Sequence, residues 1–99
     1  MKVRFTRRAS LRAERADKWW RQNRPTSPDL FSRELAEAVQ HLETVTSAGT
    51  PHPTPRRPGL KRLLLGKTGC HLYFEVDESK HQVRVLILWG APRGSEPKL

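Results

Sequence analysis

The chain has 99 residues, and nineteen Lys and Arg against ten Asp and Glu give it a formal net charge of +9. This length predicts a single domain over residues 1–99 with a modest core. The excess of positive charge favours an anionic partner, namely nucleic acid, an acidic protein segment or an anionic membrane. The one cysteine, Cys70, excludes an intrachain disulfide. With no signal peptide and no membrane-length apolar stretch, we expect a cytoplasmic protein without a membrane partner.

The N-terminal segment predicts a short strand followed by a helix. Residues 2–6 alternate polar and apolar around Val3 and Phe5, which is typical of a strand. Thr6 can then cap a helix that ends at Asn23-Arg24-Pro25. The inner face of this helix repeats at helical spacing and consists of Ala9, Ala13, Ala16 and Trp20. We interpret Trp19 and Trp20 as core with a partly exposed edge.

A second helix is predicted after a short connection. Ser27-Pro28-Asp29 combines a capping residue, a proline suited to the first helical turn and an acidic side chain near the positive end of the helix dipole. Because the connection is very short, we expect the two helices to form an antiparallel hairpin. The predicted inner stripe consists of Phe31, Leu35, Ala38, Leu42 and Val45.

Two segments are predicted to be irregular. Residues 47–59 contain four prolines and two glycines, a composition typical of a loop. The tail, residues 91–99, contains Pro92, Gly94 and Pro97. Neither segment shows the apolar periodicity of a helix or a strand.

The chain between these segments predicts a meander of three strands. Its apolar runs are separated by turns at Gly66–Gly69 and Asp77–Lys80. Strict alternation would place four residues of the last strand on one face, Val83, Val85, Ile87 and Trp89, and three on the other, Arg84, Leu86 and Leu88. In the middle strand, Leu72, Phe74 and Val76 oppose His71, Tyr73 and Glu75.

The all-apolar faces should lie under the helices. We call the other side of the sheet the open face, and we expect it to present His71, Tyr73 and Arg84 beside apolar area. An apolar face that the helices of the chain leave uncovered indicates that a partner binds there.

No catalytic or metal-binding signature is present. Gly66-Lys67-Thr68 resembles the end of a phosphate-binding loop, but Lys61 stands where the leading glycine is needed and a strand follows. The four histidines lack metal-ligand spacing. Cys70 has His71 as its strand neighbour, which points to the opposite face and cannot activate it. We predict no metal, cofactor or small-molecule substrate.

The cations of the C-terminal half are the candidate functional residues. Strands or strand ends should hold four of them near one another, namely Lys61, Arg62, Arg84 and Arg93. The alternative is that Lys and Arg on a sheet edge only deter aggregation. The functional interpretation is favoured for the group because Arg84 lies inside the most apolar strand.

The order and spacing of these segments resemble the RelE/ParE superfamily of toxins from type II toxin–antitoxin systems. The resemblance extends from Val3 to about Arg93. It is carried by V-R-F-T-R-R-A, W-W-R-Q-N-R-P, F-S-R-E-L-A-E-A-V-Q-H-L, L-K-R-L-L-L, T-G-C-H-L-Y-F-E-V-D and V-R-V-L-I-L-W-G-A-P-R. The resemblance implies an α+β fold of order β-α-α-β-β-β, with a helix hairpin packed on a small, curved, mainly antiparallel sheet. It also implies a cognate antitoxin as partner.

The superfamily has two branches with different targets. RelE-like members cut mRNA in the ribosome, and ParE-like members poison DNA gyrase. Arg62, Arg84 and Arg93 resemble the cations that hold phosphate in the nuclease branch. The segment after Trp89 lacks the Tyr or His that often assists cleavage there, and His71 is the one sheet histidine that could replace it.

We therefore expect a ParE-like gyrase poison. One alternative is a RelE-like mRNA endonuclease acting with the ribosome, with candidate catalytic residues Lys61, Arg62, His71, Arg84 and Arg93. The other alternative is a non-toxic basic module that binds nucleic acid. In either toxin branch, the expected surface for target or antitoxin consists of Arg62, Tyr73, Arg84, Leu86, Leu88 and Arg93.

Overall fold

Two helices lie against one face of a five-stranded mixed sheet in the computed structural model of this chain, which describes residues 1–45, 47–90 and 97–99. The elements are β1 (Lys2–Phe5), α1 (Arg7–Asn23), α2 (Leu30–Thr44), β2 (Thr50–Pro51), β3 (Lys61–Leu65), β4 (Cys70–Asp77) and β5 (Gln82–Gly90). The strand order is β1-β5-β4-β3-β2. β1 is parallel to β5, and the other pairs are antiparallel. The predicted α+β architecture is confirmed.

Strand β2 is an addition to the expected order, because it lies within the segment that was predicted to be irregular. Thr50 pairs with Arg62 and Pro51 with Lys61. Proline is tolerated there because β2 is an edge strand. Gly49, which precedes β2, has a φ of 83°, and a Cβ at this position would lie 2.8 Å from the ring of Phe74. Only glycine fits this close approach without strain.

The two helices begin differently. The Thr6 side chain caps α1 as predicted, since its Oγ1 accepts a hydrogen bond from the Ala9 amide at 3.1 Å. Helix α2 begins at Leu30, later than the sequence indicated, and its N-cap Asp29 makes no side-chain capping bond. Ser27 instead closes a turn, in which its carbonyl accepts a hydrogen bond from the Leu30 amide at 3.3 Å.

The apolar stripes of both helices pack onto the sheet in one cluster, the helix-side core. Its larger buried members are Phe31, Leu42, Leu65, Leu72, Phe74, Val83, Val85 and Leu88. Trp20 packs against this core and Trp19 is 47% exposed, as the interpretation of this pair required. Val45 was wrongly assigned to the stripe. It follows the last residue of α2 in extended conformation and is 38% exposed.

A β-bulge in β5 changes which side chains face the helices. Tyr73 pairs with Ile87 and Phe74 with Val85, so Leu86 is the extra residue of the bulge. Beyond it the alternation is inverted, and Leu88 pairs with Leu72 in the helix-side core, whereas Ile87 joins the opposite side. The expectation of strict alternation through β5, with Leu88 on the open face and Ile87 and Trp89 under the helices, is therefore wrong.

The open face carries a second buried cluster, which we call the open-face cluster: Leu60, Tyr73, Leu86 and Ile87. Leu60 ends the loop after β2, and Leu99 packs against the cluster from the tail. The Arg57 guanidinium links the loop before β3 to β4 and to the tail. It lies 2.8 Å from the Glu75 carboxylate and donates to the Leu99 carbonyl at 3.4 Å. The apolar part of the open face was expected to be uncovered, and this is wrong because segments of the same chain cover it.

Neither helix is both long and apolar enough to cross a lipid bilayer, considering the residues that the structure describes.

Candidate functional site

The structure divides the predicted cations between the two faces of the sheet. Arg62 pairs with Tyr73 and belongs to the open face. Lys61 pairs with Phe74, and its Nζ lies 5.9 Å from the centre of the Phe74 ring, toward the helix side. Successive residues of a strand point to opposite faces, so these neighbours cannot act on one ligand. The expectation that Lys61 lies with the other cations is wrong.

A row of three aromatic rings crosses the open face next to Arg62. The ring of Tyr73 lies 5.6 Å from that of His52 and 6.2 Å from that of His71, both nearly edge to face. The pKa of His71 lies below its ordinary value, chiefly because burial disfavours the charged imidazolium and also because Arg62 and His52 are nearby. His71 is therefore neutral near pH 7 and can accept a proton.

His52 is a member of this row that the sequence did not reveal. It lies in the proline-rich segment between β2 and β3, where no periodicity assigns a face. Its position follows from a backbone contact, in which the His52 amide donates to the Leu60 carbonyl at 2.9 Å. Only the pairing of β2 with β3 brings this loop over Tyr73, and no local signal could have indicated it.

Arg84 lies elsewhere on the open face and is exposed. Its register partners on the neighbouring strands are Glu75 of β4 and Arg4 of β1. Glu75 also forms the ion pair with Arg57. A carboxylate is therefore present on the strand neighbour of Arg84, which reduces the attraction of this end of the face for a phosphate. Arg93 lies outside the described residues.

The apolar members of the predicted binding surface are not accessible in this structure. Tyr73 is 2% exposed, Leu86 4% and Leu88 2%. Of the predicted set, Arg62 and Arg84 are the described residues that solvent reaches. Within the described ranges, no group of three or more His, Cys, Asp and Glu could hold a metal ion. The open face can thus attract an anion and offer one neutral imidazole.

A second concave surface lies along α1, and we call it the α1 cleft. It has a volume of about 510 Å³ and is bounded by α1, the start of α2, the β3–β4 turn and the end of β5. The Arg12 guanidinium lies 4.7 Å from the Trp89 ring, and that of Arg24 lies 5.0 Å from the Trp19 ring. Burial raises the pKa of the Cys70 thiol to about 11, so this cleft residue is neutral.

Comparison with known proteins identifies the fold. No protein-family model and no curated protein matches the sequence. A solved chain of the chromosomal ParDE TA system from P. aeruginosa superposes with a TM-score of 0.72 at 21% identity, covering 89% of this chain and 92% of that one. The chain has the RelE/ParE toxin fold. The isolated E. coli RelE toxin superposes with a TM-score of 0.53 at 23% identity, covering 94% of this chain and 86% of that toxin.

The superpositions establish the shared RelE/ParE fold. At identities this low they establish nothing beyond the fold, and a fold alone does not determine an activity. The fold predicted from the order of the sequence segments is confirmed.

Proposed function

We propose that this protein is the toxin of a type II toxin–antitoxin system, held inactive in the cytoplasm by a cognate antitoxin. The RelE/ParE fold over most of the chain carries this proposal. The net charge of +9 supports it, because a strongly basic chain suits an acidic protein partner. An acidic, antitoxin-like reading frame beside the gene is expected, whereas a non-toxic nucleic-acid-binding module would not need one.

Within this class, we propose ParE-like poisoning of DNA gyrase. The dispersal of the candidate nuclease residues supports it most. Lys61 faces the helix side, and Arg84 is the cross-strand partner of Glu75. RNA cleavage needs cations and a proton-transfer group that converge on one phosphate.

RelE-like cleavage of mRNA on the ribosome is the second candidate, and one observation favours it. Arg62 lies close enough to His71 to lower its pKa, so a cation and a neutral base share the open face. In this mechanism His71 would take the proton from the 2′-hydroxyl, and Arg62 would stabilise charge that develops on the phosphate.

Induced expression of the toxin alone separates the two candidates. A gyrase poison should stop DNA synthesis before translation, and an mRNA endonuclease should stop translation first. Primer extension on cellular mRNA gives the second readout. New 5′ ends inside codons would refute the ParE-like assignment if they disappear in the His71→Ala variant. Loss of the base should lower the cleavage rate by ~10²–10⁴-fold.

Charge reversal tests whether the open face meets the target in either case. Arg84→Glu should abolish growth inhibition while far-ultraviolet circular dichroism stays unchanged, because Arg84 is exposed. Arg33→Glu is the matched control, since Arg33 is an exposed arginine of α2 away from this face. Equal toxicity of both variants would exclude the open face as the target surface. We propose the same test for Arg93.

A further inference from the structure

The edge of the sheet formed by β1 collects positive charge. Five Lys and Arg precede the first acidic residue of the chain, Glu14. Strand β1 carries two of them, Lys2 and Arg4, and both are exposed. They belong to the open face, because the alternate residues Val3 and Phe5 pack against the helix-side core. Since β1 is an edge strand, solvent reaches both cations from the side of the sheet as well.

A third cation continues this line at the start of α1. Arg8 is exposed, and its guanidinium donates to the Lys98 carbonyl at 3.0 Å, which leaves further N–H donors available. We call Lys2, Arg4 and Arg8 the β1 row. At the other end of β1, Lys80 lines a concave surface of about 560 Å³ together with Lys2 and Arg4. None of the described residues that line this surface is acidic.

The carboxylates closest to the β1 row do not neutralise it. Asp77 accepts two hydrogen bonds within its own turn, at 2.6 and 3.2 Å, and the exposed Glu78 beside it offsets the charge of Lys80. Glu75 forms its ion pair with Arg57 at 2.8 Å and lies on β4, two strands from β1. Two strand spacings are roughly 10 Å, which is about one Debye length. Glu75 therefore affects its own strand neighbour more than it affects the β1 row.

The cations of the β1 row are placed where they do not favour folding. Arg4 is the register partner of Arg84, and like charges on neighbouring strands repel each other. Arg8 lies in the first turn of α1, where the helix dipole disfavours a cation. Among the residues that the structure describes, neither Lys2 nor Arg4 forms an ion pair. Protection of the edge from pairing could account for the charges on β1 but not for Arg8, so the row indicates an anionic partner.

A duplex phosphate backbone suits the β1 row better than a protein segment or a single strand. Protein interfaces usually centre on aromatic or apolar anchors. The concave surface at the row offers polar and charged side chains apart from Met1, which packs on the helix-side core. Single strands are held by aromatic rings on which their bases stack. Between residues 2 and 8 the one aromatic ring is that of Phe5, which faces the helices.

We propose that the β1 row binds the phosphate backbone of duplex DNA. The choice of DNA over RNA rests on the proposed function, because gyrase acts on duplex DNA and a toxin bound to gyrase lies close to that DNA. Lys2 and Arg4 contact neighbouring phosphates from a strand whose register with β5 is fixed over four residue pairs. Arg8 extends the contact along the backbone. Phosphate contacts carry no base information, so this binding is independent of DNA sequence.

Fluorescence anisotropy of the full chain with a short labelled DNA duplex tests this proposal. Lys2→Glu should weaken binding about tenfold or more at physiological salt, because it replaces a phosphate contact by a repulsion. Lys18→Glu is the matched control, since it makes the same change in net charge at an exposed residue in the second half of α1. It should weaken binding less than about threefold. Equal effects of the two variants would overturn the proposal, because net charge alone would then explain binding.

The salt dependence of binding counts the phosphate contacts. Arg4→Gln should reduce the slope of log Kd against log salt concentration by about 1, the value for one lost contact. Arg33→Gln, at an exposed arginine of α2, should leave this slope unchanged. Far-ultraviolet circular dichroism checks that both variants are folded. If Arg4→Gln instead self-associates in light scattering while it binds DNA with an unchanged slope, the cations only protect the edge and the proposal is wrong.

Competition with other nucleic acids tests the choice of DNA. Single-stranded RNA or duplex RNA that binds more tightly than duplex DNA, and loses this binding in Lys2→Glu, would assign the β1 row to RNA and overturn the proposal.

Growth inhibition by the unaltered chain tests the proposed function separately. If the chain stops DNA synthesis but Lys2→Glu binds DNA as tightly as the unaltered protein, the DNA surface is wrong and the toxin assignment stands. If Lys2→Glu loses DNA binding while Lys18→Glu keeps it, and the unaltered chain does not inhibit growth, the DNA surface stands and the proposed function is wrong.

Discussion

The two faces of the sheet are built from the same strands but are covered by different kinds of segment. On the helix side, two amphipathic helices cover the alternating apolar residues of β4 and β5 and produce one continuous core. On the open face, three buried strand residues are covered by the loop residue Leu60 and by Leu99, with no helix or strand above them in the part of the chain that the structure describes. Alternation determines which residues share a face. Whether that face is buried depends on segments that carry no periodic signal.

The helix-side core should respond most strongly to truncation. Phe31→Ala removes the ring of a residue that is 1% exposed and should cost ~3–5 kcal/mol of unfolding free energy. Urea unfolding followed by circular dichroism measures this. Lys18→Ala, at an exposed side chain of α1, is the control and should change stability by less than about 0.5 kcal/mol. A Phe31→Ala protein that unfolds like the unaltered one would contradict the described core.

The adjacent residues Ile87 and Leu88 compare the two faces directly. Because of the bulge, each is buried on its own side of the sheet, at 0% and 2% exposure. Leu88→Ala and Ile87→Ala should each cost ~2–5 kcal/mol, with Ile87 at the lower end because its cover can relax around the cavity. Leu64→Ala, at 53% exposure on β3, is the control. A negligible cost at Leu88 would contradict its burial in the helix-side core.

The cover of the open face should be weaker than that of the helix side. Leu99→Ser removes a partly buried side chain from the open-face cluster and should cost only about 1 kcal/mol. It should nevertheless increase the fluorescence of the apolar dye ANS, because Tyr73 and Ile87 become accessible. Lys98→Ser changes an exposed side chain next to it and should leave dye binding unchanged. Equal dye binding by both variants would show that Leu99 does not close the face.

The smallest expected effect is a pH dependence that arises on the open face. The folded pKa of His71 lies below its ordinary value of 6.5, so the unfolded chain binds the proton more readily. The contribution of His71 to the free energy of unfolding should therefore be fully present above pH 6.5. It should decrease as the pH falls below 6.5 toward the lowered pKa. His71→Gln should remove this contribution, and His41→Gln, on the exposed side of α2, should keep it. Stability that rises on acidification through this range would contradict the described surroundings of His71.

Much of the fold follows from local sequence. Periodicity indicated both helices, β1 and the three-strand meander, because burying one face of an element requires apolar residues at its own spacing. The Thr6 cap and the turns at Gly66–Gly69 and Asp77–Lys80 follow from local hydrogen-bonding and backbone preferences. The resemblance of these segments to the RelE/ParE superfamily then implied the fold.

Tertiary structure alone decided which functional candidates meet. The bulge at Leu86 exchanged the faces of Ile87 and Leu88, and no residue type marks a bulge of this kind. Pairing of β2 with β3 placed His52 beside Tyr73, and Leu60 and Leu99 covered a face that alternation alone leaves open. These contacts join residues that are distant in sequence. The free energy of forming these contacts depends on which surfaces pack together in the folded chain. The local sequence pattern does not determine those surfaces.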